Sequence, residues 1–493
     1  MTRQIPKAAL QICATFLLLM GAGTAHAGVA EPSDGGVVRA PGTVVEDDAA
    51  SVKEFLQRVF HGKPWGMVVA LIDDRGTRVF ADGTMGDGTV RAVDGDTVFE
   101  IGSITKTFTT LLLQDMVQRG AMALDDPVAR YLPATVHVPT YRGKEITLVH
   151  LADQSSGLPY EVSNALKVST RDGLNPFAGY TQEQMYALVS GFELRRAPGE
   201  AFGYSNIGMG LLGDAISRKA GLDYEQLVLQ RICEPLHMDS TRVALNEALN
   251  QRLATGHAAT GATAPNWDIG AIVGACGLRS TANDLAKYVA AQIAVPPGAL
   301  TALMQRTHAF RHKTDPTERG NTAMPWYDQD SYSPPGMHLL GHAGATGGYT
   351  TFIGFDTEQR RGVVVLSNQS SIQSQMVGWR ILQHARLSGI DPLKLQTVRR
   401  VVGTGIVLAS DPAGIGVRIS AIVPRSPAAA AGLAAGATVE AVDGVQTHGK
   451  TLAECITLIR GSADTNVRLA IAATEQKPAT TIELHKGAFL TDE

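Results

Sequence analysis

The hydrophobic residues after position 50 are spaced first as on one face of a helix and then as in buried strands. Apolar residues at three- and four-residue intervals predict an amphipathic helix from Ser51. These residues are Val52, Phe55, Leu56, Val59 and Phe60. The apolar run Gly66–Ile72 follows, and after the turn residues 73–76 the chain returns through Thr77–Ala81. This pattern predicts a β-hairpin.

A second hairpin is predicted near the other end of the same region. Its strands are Tyr349–Phe355 and Gly362–Leu366, and a polar turn joins them. A helical segment, 374–387, comes next, and mixed, largely helical sequence separates the two hairpins. We therefore expect residues 51–387 to form one discontinuous α/β domain, an antiparallel sheet flanked by helices with a helical insertion.

The spacing of the apolar residues changes again after Leu387. Residues 388–398 are predicted to be a linker, and short apolar strands with glycine turns follow. One helix is predicted at Thr451–Arg460. The strand-like runs are Gly405–Leu408, Gly416–Val423, Thr438–Val442, Val467–Ala472 and Thr481–Leu484. About ninety residues of this kind, 399–488, suffice for a small independent β-rich domain.

The first 27 residues have the pattern of a secretory signal peptide. Arg3 and Lys7 give a basic start, and an apolar run spans Ala8–Leu19. Ala25-His26-Ala27 is a small-x-small sequence, and we expect cleavage directly after it and an exported chain, periplasmic or secreted. The alternative is an uncleaved N-terminal anchor. Residues 28–50 are predicted to be a flexible leader, and no later apolar stretch is long enough for stable membrane insertion.

Composition excludes several classes of protein. The 493 residues carry 43 Lys and Arg against 47 Asp and Glu, a formal net charge of −4, with no basic block. Nucleic-acid-binding proteins usually carry a basic patch or stripe, so no nucleic-acid partner is expected. Four cysteines in this length exclude a disulfide-rich scaffold and a Cys-ligated zinc module. No metal or organic cofactor is implied.

Ser103 and Lys106 form a Ser-x-x-Lys sequence at the start of a predicted helix that ends at Arg119. One helical turn separates them, so their side chains face the same side. A neighbouring amine can accept the hydroxyl proton, and the positive end of the helix favours negative charge on the oxygen. The pair is a candidate nucleophile and base; a capping serine beside a surface lysine is the simpler alternative.

Two further motifs support the catalytic interpretation. Tyr204-Ser205-Asn206 follows a turn and precedes a glycine-containing helical stretch. His342-Ala343-Gly344-Ala345, continued by Thr346-Gly347-Gly348, directly precedes a predicted strand, where backbone donors can face an active serine. Each motif alone also has a structural explanation: a buried tyrosine beside a capping asparagine, and a glycine-rich strand entry. Their order and placement favour one active site.

Together these motifs resemble the serine hydrolases that include class C β-lactamases, DD-peptidases, D-aminopeptidases and related esterases. The resemblance covers about residues 51–387. Other matching segments in the same order are Gly120–Val128, Ile146–Leu151, Ser156–Pro159, Gly277–Ser280 and Val363–Asn368. The resemblance implies the β-lactamase/transpeptidase-like fold and an acyl-enzyme mechanism.

The resemblance also implies a role for each motif residue. Ser103 is the implied nucleophile, and Lys106 and Tyr204 share the base role, with Tyr204 relaying a proton to the leaving group. Asn206 orients Lys106 and the substrate amide. The N–H groups of Ser103 and Ala345 form the oxyanion hole, where each donor contributes roughly 3–4 kcal/mol in other serine enzymes. Free Lys and Tyr are poor bases at neutral pH, so we expect burial to lower the amine pKa and nearby cations to lower the phenol pKa.

One departure from the family pattern bears on the substrate. The β-lactamases carry Lys-Thr-Gly where this chain has His342-Ala343-Gly344. A histidine resembles the peptidase and aminopeptidase branches and is not a fixed positive charge for a substrate carboxylate. We therefore expect peptide or ester hydrolysis ahead of β-lactam hydrolysis. Glu161 falls near where relatives contact substrate; it either attracts a substrate ammonium or is an exposed loop carboxylate.

The C-terminal region resembles a bacterial-type PDZ domain through Ser426–Leu433 and Ala441-Val442-Asp443-Gly444. In that fold a peptide C-terminus adds as a strand to the sheet edge, and loop N–H groups bind its carboxylate. Gly403-Thr404-Gly405-Ile406 is the implied loop, and the predicted helix at Thr451–Arg460 is the other wall of the groove. The alternative is a packing module whose groove stays empty.

The leading hypothesis is an exported serine hydrolase that forms an acyl-enzyme on Ser103 and cleaves D-amino-acid-containing peptides, as a carboxypeptidase or aminopeptidase. The alternatives on the same site are a carboxylesterase and a class C-like β-lactamase, so the expected partner is a small peptide, ester or β-lactam. A hypothesis of another class is an inactive binding protein that acts through its PDZ groove. The joint presence of Ser103, Lys106, Tyr204 and Asn206 argues against it.

Overall fold

The computed structural model describes residues 45–160, 175–313, 321–328, 336–385, 387–388, 398–410, 417–422, 426–459, 465–472 and 478–492. The chain divides into two compact units near residue 395. The signal-peptide prediction for residues 1–27, most of the predicted leader and linker, and Glu161 lie outside the described residues.

The first unit is built on an antiparallel sheet. Its strands are β1 Gly66–Asp73, β2 Gly76–Gly83, β3 Phe99–Glu100, β4 Arg279–Ser280, β5 His312–Lys313, β6 Asn321–Thr322, β7 Tyr327–Asp328, β8 Leu339–Ala345, β9 Thr350–Asp356 and β10 Arg361–Ser367. Within the described ranges, eight of them form one sheet in the order β2-β1-β10-β9-β8-β7-β6-β5. The short strands β3 and β4 pair separately.

Helices surround this sheet. They are α1 Val45–Phe60, α2 Thr105–Gln118, α3 Leu148–Ala152, α4 Gln182–Ser190, α5 Asn206–Ala220, α6 Tyr224–Val228, α7 Glu234–Leu236, α8 Glu247–Asn250, α9 Val273–Cys276, α10 Ala282–Gln292, α11 Thr301–Thr307 and α12 Ser374–Leu382. Single 3₁₀ turns occur at Gly102–Ile104, Val128–Tyr131 and Gly270–Ile272, and a π turn at Leu229–Cys233. The segments between β2 and β5 supply the helical insertion.

Strand β1, the second strand from one edge, shows that the sheet is covered on both faces. All eight of its residues are buried, and successive side chains point to opposite faces. Met67, Val69 and Leu71 pack in the core that contains α1 and α12. Val68, Ala70 and Ile72 pack in the larger core formed with the helical insertion. A continuous apolar run is therefore required here, instead of the alternation typical of a half-exposed strand.

The structure has the predicted fold class of an antiparallel sheet flanked by helices with a helical insertion. Both predicted hairpins are present, as β1–β2 and β9–β10. Helix α1 starts at Val45, six residues before the predicted start at Ser51. The two-residue strands β5, β6 and β7 were not predicted, because segments so short carry no hydrophobic period.

The second unit has its own small core and sheet. Its elements are β11 Val398–Gly403, β12 Ile406–Ser410, β13 Val417–Ile422, α13 Pro427–Ala430, β14 Thr438–Val442, β15 Val445–Gln446, α14 Leu452–Ile459, β16 Asn466–Ile471, β17 Thr480–His485 and β18 Gly487–Asp492. The sheet order is β12-β13-β14-β16-β17, β15 pairs with β14, and β11 pairs with β18. The helix α14 lies within the predicted 451–460, and its Cys455 and Ile459 are buried in this core.

No helix in the described part of the chain is both long enough and apolar enough to span a membrane.

Candidate active site

The predicted nucleophile lies where a strand passes into a helix. Ser103 is in the 3₁₀ turn Gly102–Ile104, and α2 starts directly after it. The predicted single helix from Ser103 is thus a 3₁₀ turn followed by an α-helix, and its last regular residue is Gln118. Gly120 lies just beyond the end with a φ of +67°, the left-handed backbone that favours glycine after a helix.

Lys106 is fully buried, and its amine is held by three acceptors. Its Nζ lies 2.9 Å from Ser103 Oγ, 2.8 Å from Asn206 Oδ1 and 2.8 Å from the carbonyl oxygen of Ala275. A charged or polar amine at this depth requires such partners. The arrangement fixes the amine beside the serine oxygen, where it can exchange a proton with it.

Tyr204 and Asn206 are brought to the same place by the start of α5. Ser205 caps this helix, accepting a hydrogen bond from Gly208 N over 2.9 Å. The Tyr204 hydroxyl donates to Ser103 Oγ over 2.7 Å. The structure therefore brings together Ser103, Lys106, Tyr204 and Asn206.

The electrostatics of Tyr204 differ from the sequence-based expectation. We expected nearby cations to lower the phenol pKa, but burial raises the pKa of Tyr204 well above its ordinary value, and the neighbouring Tyr327 adds to this effect. Lys106 Nζ lies 4.8 Å from the centre of the Tyr204 ring, a cation–π distance. The phenol is consequently protonated at neutral pH and acts as a hydrogen-bond donor in the resting site.

The end of β8 lies against the turn that carries Ser103. Gly102 has a φ of +51°, and a Cβ placed on it would lie 2.7 Å from Ala345 N. A Cβ on Gly344 would overlap the carbonyl oxygen of Ile101. Both glycines are therefore needed for the close approach of the two backbones.

The direction of the Ala345 N–H follows from strand geometry. Thr346 N donates to Tyr349 O over 3.0 Å, so it points towards β9. Successive N–H groups of a strand point to opposite sides, so that of Ala345 points away from β9, where the Ser103 turn lies. This direction is compatible with a hydrogen-bond donor to an oxyanion at Ser103.

His342 is buried and electrically neutral at physiological pH. Its Nδ1 lies 2.7 Å from Ala343 O, and because a carbonyl only accepts, Nδ1 carries the proton. Burial, and secondarily the charge of Lys106, lowers the pKa of His342 to about 3. Its Nε2 is buried and has no hydrogen-bond partner among the described residues. This position therefore supplies no fixed positive charge.

Aromatic rings form the walls around these groups. Tyr327 lies 5.4 Å from the His342 ring, and Phe202 lies 6.1 Å from Tyr327. Tyr160 lies 5.7 Å from Tyr204. Sequence analysis did not identify Phe202 or Tyr160, since an aromatic residue on a loop carries no pattern of its own. Their rings supply apolar surface next to Tyr327 and Tyr204, respectively.

The loop assigned by sequence to peptide capture is shorter in the structure. Gly403 ends β11 and Ile406 starts β12, so that only Thr404 and Gly405 lie between strands. Thr404 is buried, and its carbonyl oxygen accepts from Ala428 N over 2.9 Å. Gly405 has a φ of +75°. In the described part of this unit, β12 is an outer strand of its sheet.

Among the described residues, no group of three or more His, Cys, Asp or Glu side chains is arranged to hold a metal ion.

The chain belongs to the β-lactamase family, whose family model matches residues 55–386. A second family model, for the PDZ domain, matches residues 418–472. The sequence-based identification of both families is thereby confirmed.

The chain is similar to individual relatives over part of its length. It is 33% identical over 256 residues to the D-alanyl-D-alanine-carboxypeptidase/endopeptidase AmpH of Escherichia coli (strain K12), 51% of this chain and 64% of that protein. It is 29% identical over 280 residues to Protein flp of Staphylococcus aureus (strain MRSA252), 56% of this chain and 53% of that protein. The chain thus spans less than two thirds of the length of these curated relatives.

Solved structures are similar to the first unit in fold. A β-lactamase/D-alanine carboxypeptidase from Yersinia pestis in complex with citrate gives a TM-score of 0.56 at 24% identity, covering 65% of this chain and 93% of that one. The D-alanine carboxypeptidase AmpC from Burkholderia cenocepacia gives 0.55 at 24% identity, covering 69% and 98%. The predicted β-lactamase/transpeptidase-like fold is confirmed.

Proposed function

We propose that this protein is an exported serine peptidase that forms an acyl-enzyme on Ser103 and cleaves peptides containing D-amino acids. The main support is one observation: Ser103 Oγ lies 2.9 Å from Lys106 Nζ and 2.7 Å from the Tyr204 hydroxyl. Membership of the β-lactamase family supports serine chemistry, and the match to AmpH supports a peptide substrate. Export rests on the sequence of residues 1–27.

In acylation, Ser103, Lys106 and Tyr204 act one after another. Ser103 Oγ attacks the substrate carbonyl carbon, and its proton passes to the amine of Lys106, which takes this role once it has given up its own proton. The Tyr204 hydroxyl gives a proton to the leaving nitrogen as the C–N bond breaks, and the proton that Lys106 took from Ser103 then restores the phenol. Asn206 holds Lys106 in place through its Oδ1, 2.8 Å away.

The developing oxyanion is stabilised by backbone donors. The proposed donors are the N–H groups of Ser103 and Ala345. The close packing of Gly102 against Ala345 N, and the bond from Thr346 N to Tyr349 O, support this role for Ala345. In deacylation, water attacks the ester carbonyl, its proton moves to the same base, and Ser103 recovers its proton as the acid product leaves.

The neutral His342 favours a peptidase over a β-lactamase. A pKa of about 3 leaves this ring uncharged, so it offers no fixed cation for the carboxylate of a β-lactam or for the free C-terminus of a carboxypeptidase substrate. An aminopeptidase substrate needs no such cation at this position. Its neighbour Ala343 has no hydroxyl. Glu161, which we propose as a contact for a substrate ammonium, lies outside the described residues.

A substrate panel tests the proposal. Initial rates are measured on matched peptides that end in D-alanyl-D-alanine or in its L,L counterpart, on a p-nitrophenyl ester and on a chromogenic cephalosporin, with Ser103→Ala as the blank. The proposal requires the highest kcat/KM on a D-peptide and none in the variant. A higher kcat/KM on the ester or the cephalosporin would overturn the peptidase assignment.

We also propose that the PDZ-like unit binds a peptide C-terminus beside β12, with Gly403, Thr404, Gly405 and Ile406 at the carboxylate. The left-handed backbone of Gly405 and the outer position of β12 support this. Fluorescence anisotropy on the full chain, carrying Ser103→Ala, is measured with a peptide library having free or amidated C-termini. Binding of free termini alone, lost in Gly405→Val, is expected; equal binding of amidated peptides would exclude carboxylate capture.

A further inference from the structure

The segment that follows α3 contains a residue with an unusual backbone conformation, and the reaction described above does not use it. Gln154 has a φ of +62°, in the left-handed region, and only 3% of it is exposed. It lies just before Ser156–Pro159, one of the segments that match the serine hydrolases. A residue other than glycine is strained in this region, so the contacts of Gln154 indicate what offsets the strain.

The end of α3 explains the left-handed backbone. The N–H of Ser155 donates to His150 O over 2.9 Å, and the N–H of Gln154 donates to Leu151 O over 3.4 Å. These two bonds form the Schellman motif, which ends many helices and places one residue in the left-handed region. Glycine is the usual residue there, because it has no Cβ. Glutamine at this position is therefore a departure from what the helix end alone favours.

Both oxygens of Gln154 bind the loop that carries Tyr204. The backbone oxygen accepts from Gly203 N over 2.6 Å, and the side-chain Oε1 accepts from Ser205 N over 2.7 Å. Gly203 and Ser205 are the residues on either side of Tyr204. One buried glutamine thus holds the backbone on both sides of the residue whose hydroxyl donates to Ser103 Oγ over 2.7 Å.

Other contacts attach the same loop to the same segment, but they act at different atoms. Gly199 N donates to Ser155 O over 2.9 Å, and Ser205 Oγ donates to Pro159 O over 2.8 Å. The Oε1 of Gln154 instead binds the N–H of the peptide unit that joins Tyr204 to Ser205. Because a peptide unit is planar and includes the preceding Cα, this bond fixes the direction in which the Tyr204 side chain leaves the backbone.

The hydrogen bond between the phenol and the serine depends on that direction. The hydroxyl lies at the far end of the Tyr204 side chain, so a small rotation of the backbone is enlarged at the oxygen. Hydrogen bonds between hydroxyl groups span only about 2.5–3.0 Å and weaken when they are misaligned. A displaced phenol would remain in the site but would transfer its proton less well.

We propose that Gln154 is a positioning residue that orients the Tyr204 hydroxyl for proton transfer to the leaving group. The proposal rests on the proposed function, because it takes Tyr204 as the proton donor in acylation. Gln154 acts through the backbone of the Tyr204 loop and not on the reacting atoms. Glycine in its place would relieve the strain but would leave the Ser205 N–H without this acceptor.

The test uses two variants that remove the side-chain acceptor. Gln154→Met keeps the length of the side chain, and Gln154→Gly suits the left-handed backbone. Gln292→Met is the matched control, because Gln292 is also buried and its Oε1 lies 2.7 Å from His308 Nε2. Gln154→Met is also combined with Tyr204→Phe. The readouts are Tm and kcat/KM on two substrates, the D-peptide that is cleaved fastest in the panel above and p-nitrophenyl acetate.

The two substrates differ in what their leaving groups require. The leaving nitrogen of a peptide must receive a proton, whereas p-nitrophenolate leaves as a stable anion. We therefore expect both Gln154 variants to lower kcat/KM on the peptide about tenfold and to keep it within about twofold on the ester. In Tyr204→Phe, which has no hydroxyl to orient, Gln154→Met should cause no further loss. Gln292→Met should match the wild type on both substrates.

Three results would overturn the inference: a wild-type kcat/KM on the peptide in Gln154→Met, equal losses on the peptide and the ester, or the same loss in the Tyr204→Phe background as in the wild type. Tm identifies a variant that is not folded at the assay temperature, and Gln154→Gly is expected to fold even if Gln154→Met does not. A failure of the proposed function is distinguishable, because the wild-type protein would then cleave no D-peptide of the panel, whatever its rate on the ester, and the inference would fall with it.

Discussion

The amine of Lys106 lies 4.8 Å from the centre of the Tyr204 ring, and the two side chains meet at the same atom, Ser103 Oγ. Each group is thus in position to exchange a proton with the serine and, through it, with the other. Because burial raises the pKa of Tyr204, the phenol holds its proton in the resting site. The amine is then the first acceptor and the phenol the first donor.

Tyr204→Phe tests this division of roles. It removes the hydroxyl and leaves the ring on which the amine lies, so the fold and the cation–π contact should persist. We expect kcat to fall by about 10²- to 10⁴-fold, the usual contribution of a general acid–base group. Tyr186→Phe, which removes another hydrogen-bonded phenol hydroxyl, is the control and should leave kcat unchanged. A kcat for Tyr204→Phe within twofold of the wild type would exclude the relay.

Asn206→Ala tests the orientation of the amine. The change removes one of the three acceptors of Lys106 and leaves Ser103 Oγ and Ala275 O. We expect kcat/KM to fall roughly tenfold or more, since a base that is not held in place loses part of its advantage. Asn283→Ala removes an exposed amide bonded to Asp96 and is the control. Equal kcat/KM values in the two variants would show that Asn206 does not orient the base.

Gly102→Ala tests the close approach between the nucleophile turn and β8. A Cβ there would lie 2.7 Å from Ala345 N, and the residue would also bear a positive φ. Gly120→Ala shares the positive φ but has open space around its Cβ, so it isolates the backbone strain. We expect about a 10²-fold loss of labelling by a fluorophosphonate in Gly102→Ala and none in Gly120→Ala. Similar labelling of both variants would contradict the proposed oxyanion hole.

His342 predicts how stability changes with pH. Its pKa is about 3 in the folded protein and about 6.5 when unfolded, so between these values only the unfolded chain binds the proton. Above about pH 6.5 the ring is neutral in both states, and burying it carries no protonation cost. As the pH falls from there towards 3, the free energy of unfolding decreases, because only the unfolded chain gains the proton. We expect His342→Gln to reduce the slope of unfolding free energy against pH in this range by up to about 1.4 kcal/mol per pH unit.

Denaturant unfolding at several pH values between 4 and 7 measures this slope. Burial also lowers the pKa of His308 to about 3, so His308→Gln is a matched variant that should reduce the slope in the same way. A slope that is unchanged in His342→Gln but reduced in His308→Gln would mean that His342 is protonated in the folded protein.

Sequence analysis identified the parts of the site that depend on local spacing. The Ser103–Lys106 pair is set by one helical turn, and Tyr204 and Asn206 flank a helix cap, so a short motif contains the geometry of each pair. The hairpins β1–β2 and β9–β10 were likewise evident from apolar runs separated by polar turns.

The parts that were missed depend on contacts between distant segments. The carbonyl of Ala275 reaches Lys106 across 169 positions, and any residue type could have supplied it. Glu100 meets Arg279 only because β3 pairs with β4, two strands of two residues each. The Tyr204 pKa depends on burial by the whole pocket, which no motif records.

Intact mass spectrometry with peptide mapping is the most direct test of the central claim, that Ser103 forms the acyl-enzyme. The wild-type protein and Ser103→Ala are each incubated with a penicillin and with a fluorophosphonate probe. The account predicts one fluorophosphonate adduct per chain, mapped to Ser103 and absent from the variant, and any penicillin adduct at the same serine. Wild-type protein that stays unmodified by the fluorophosphonate, or an adduct that persists in Ser103→Ala, would contradict it.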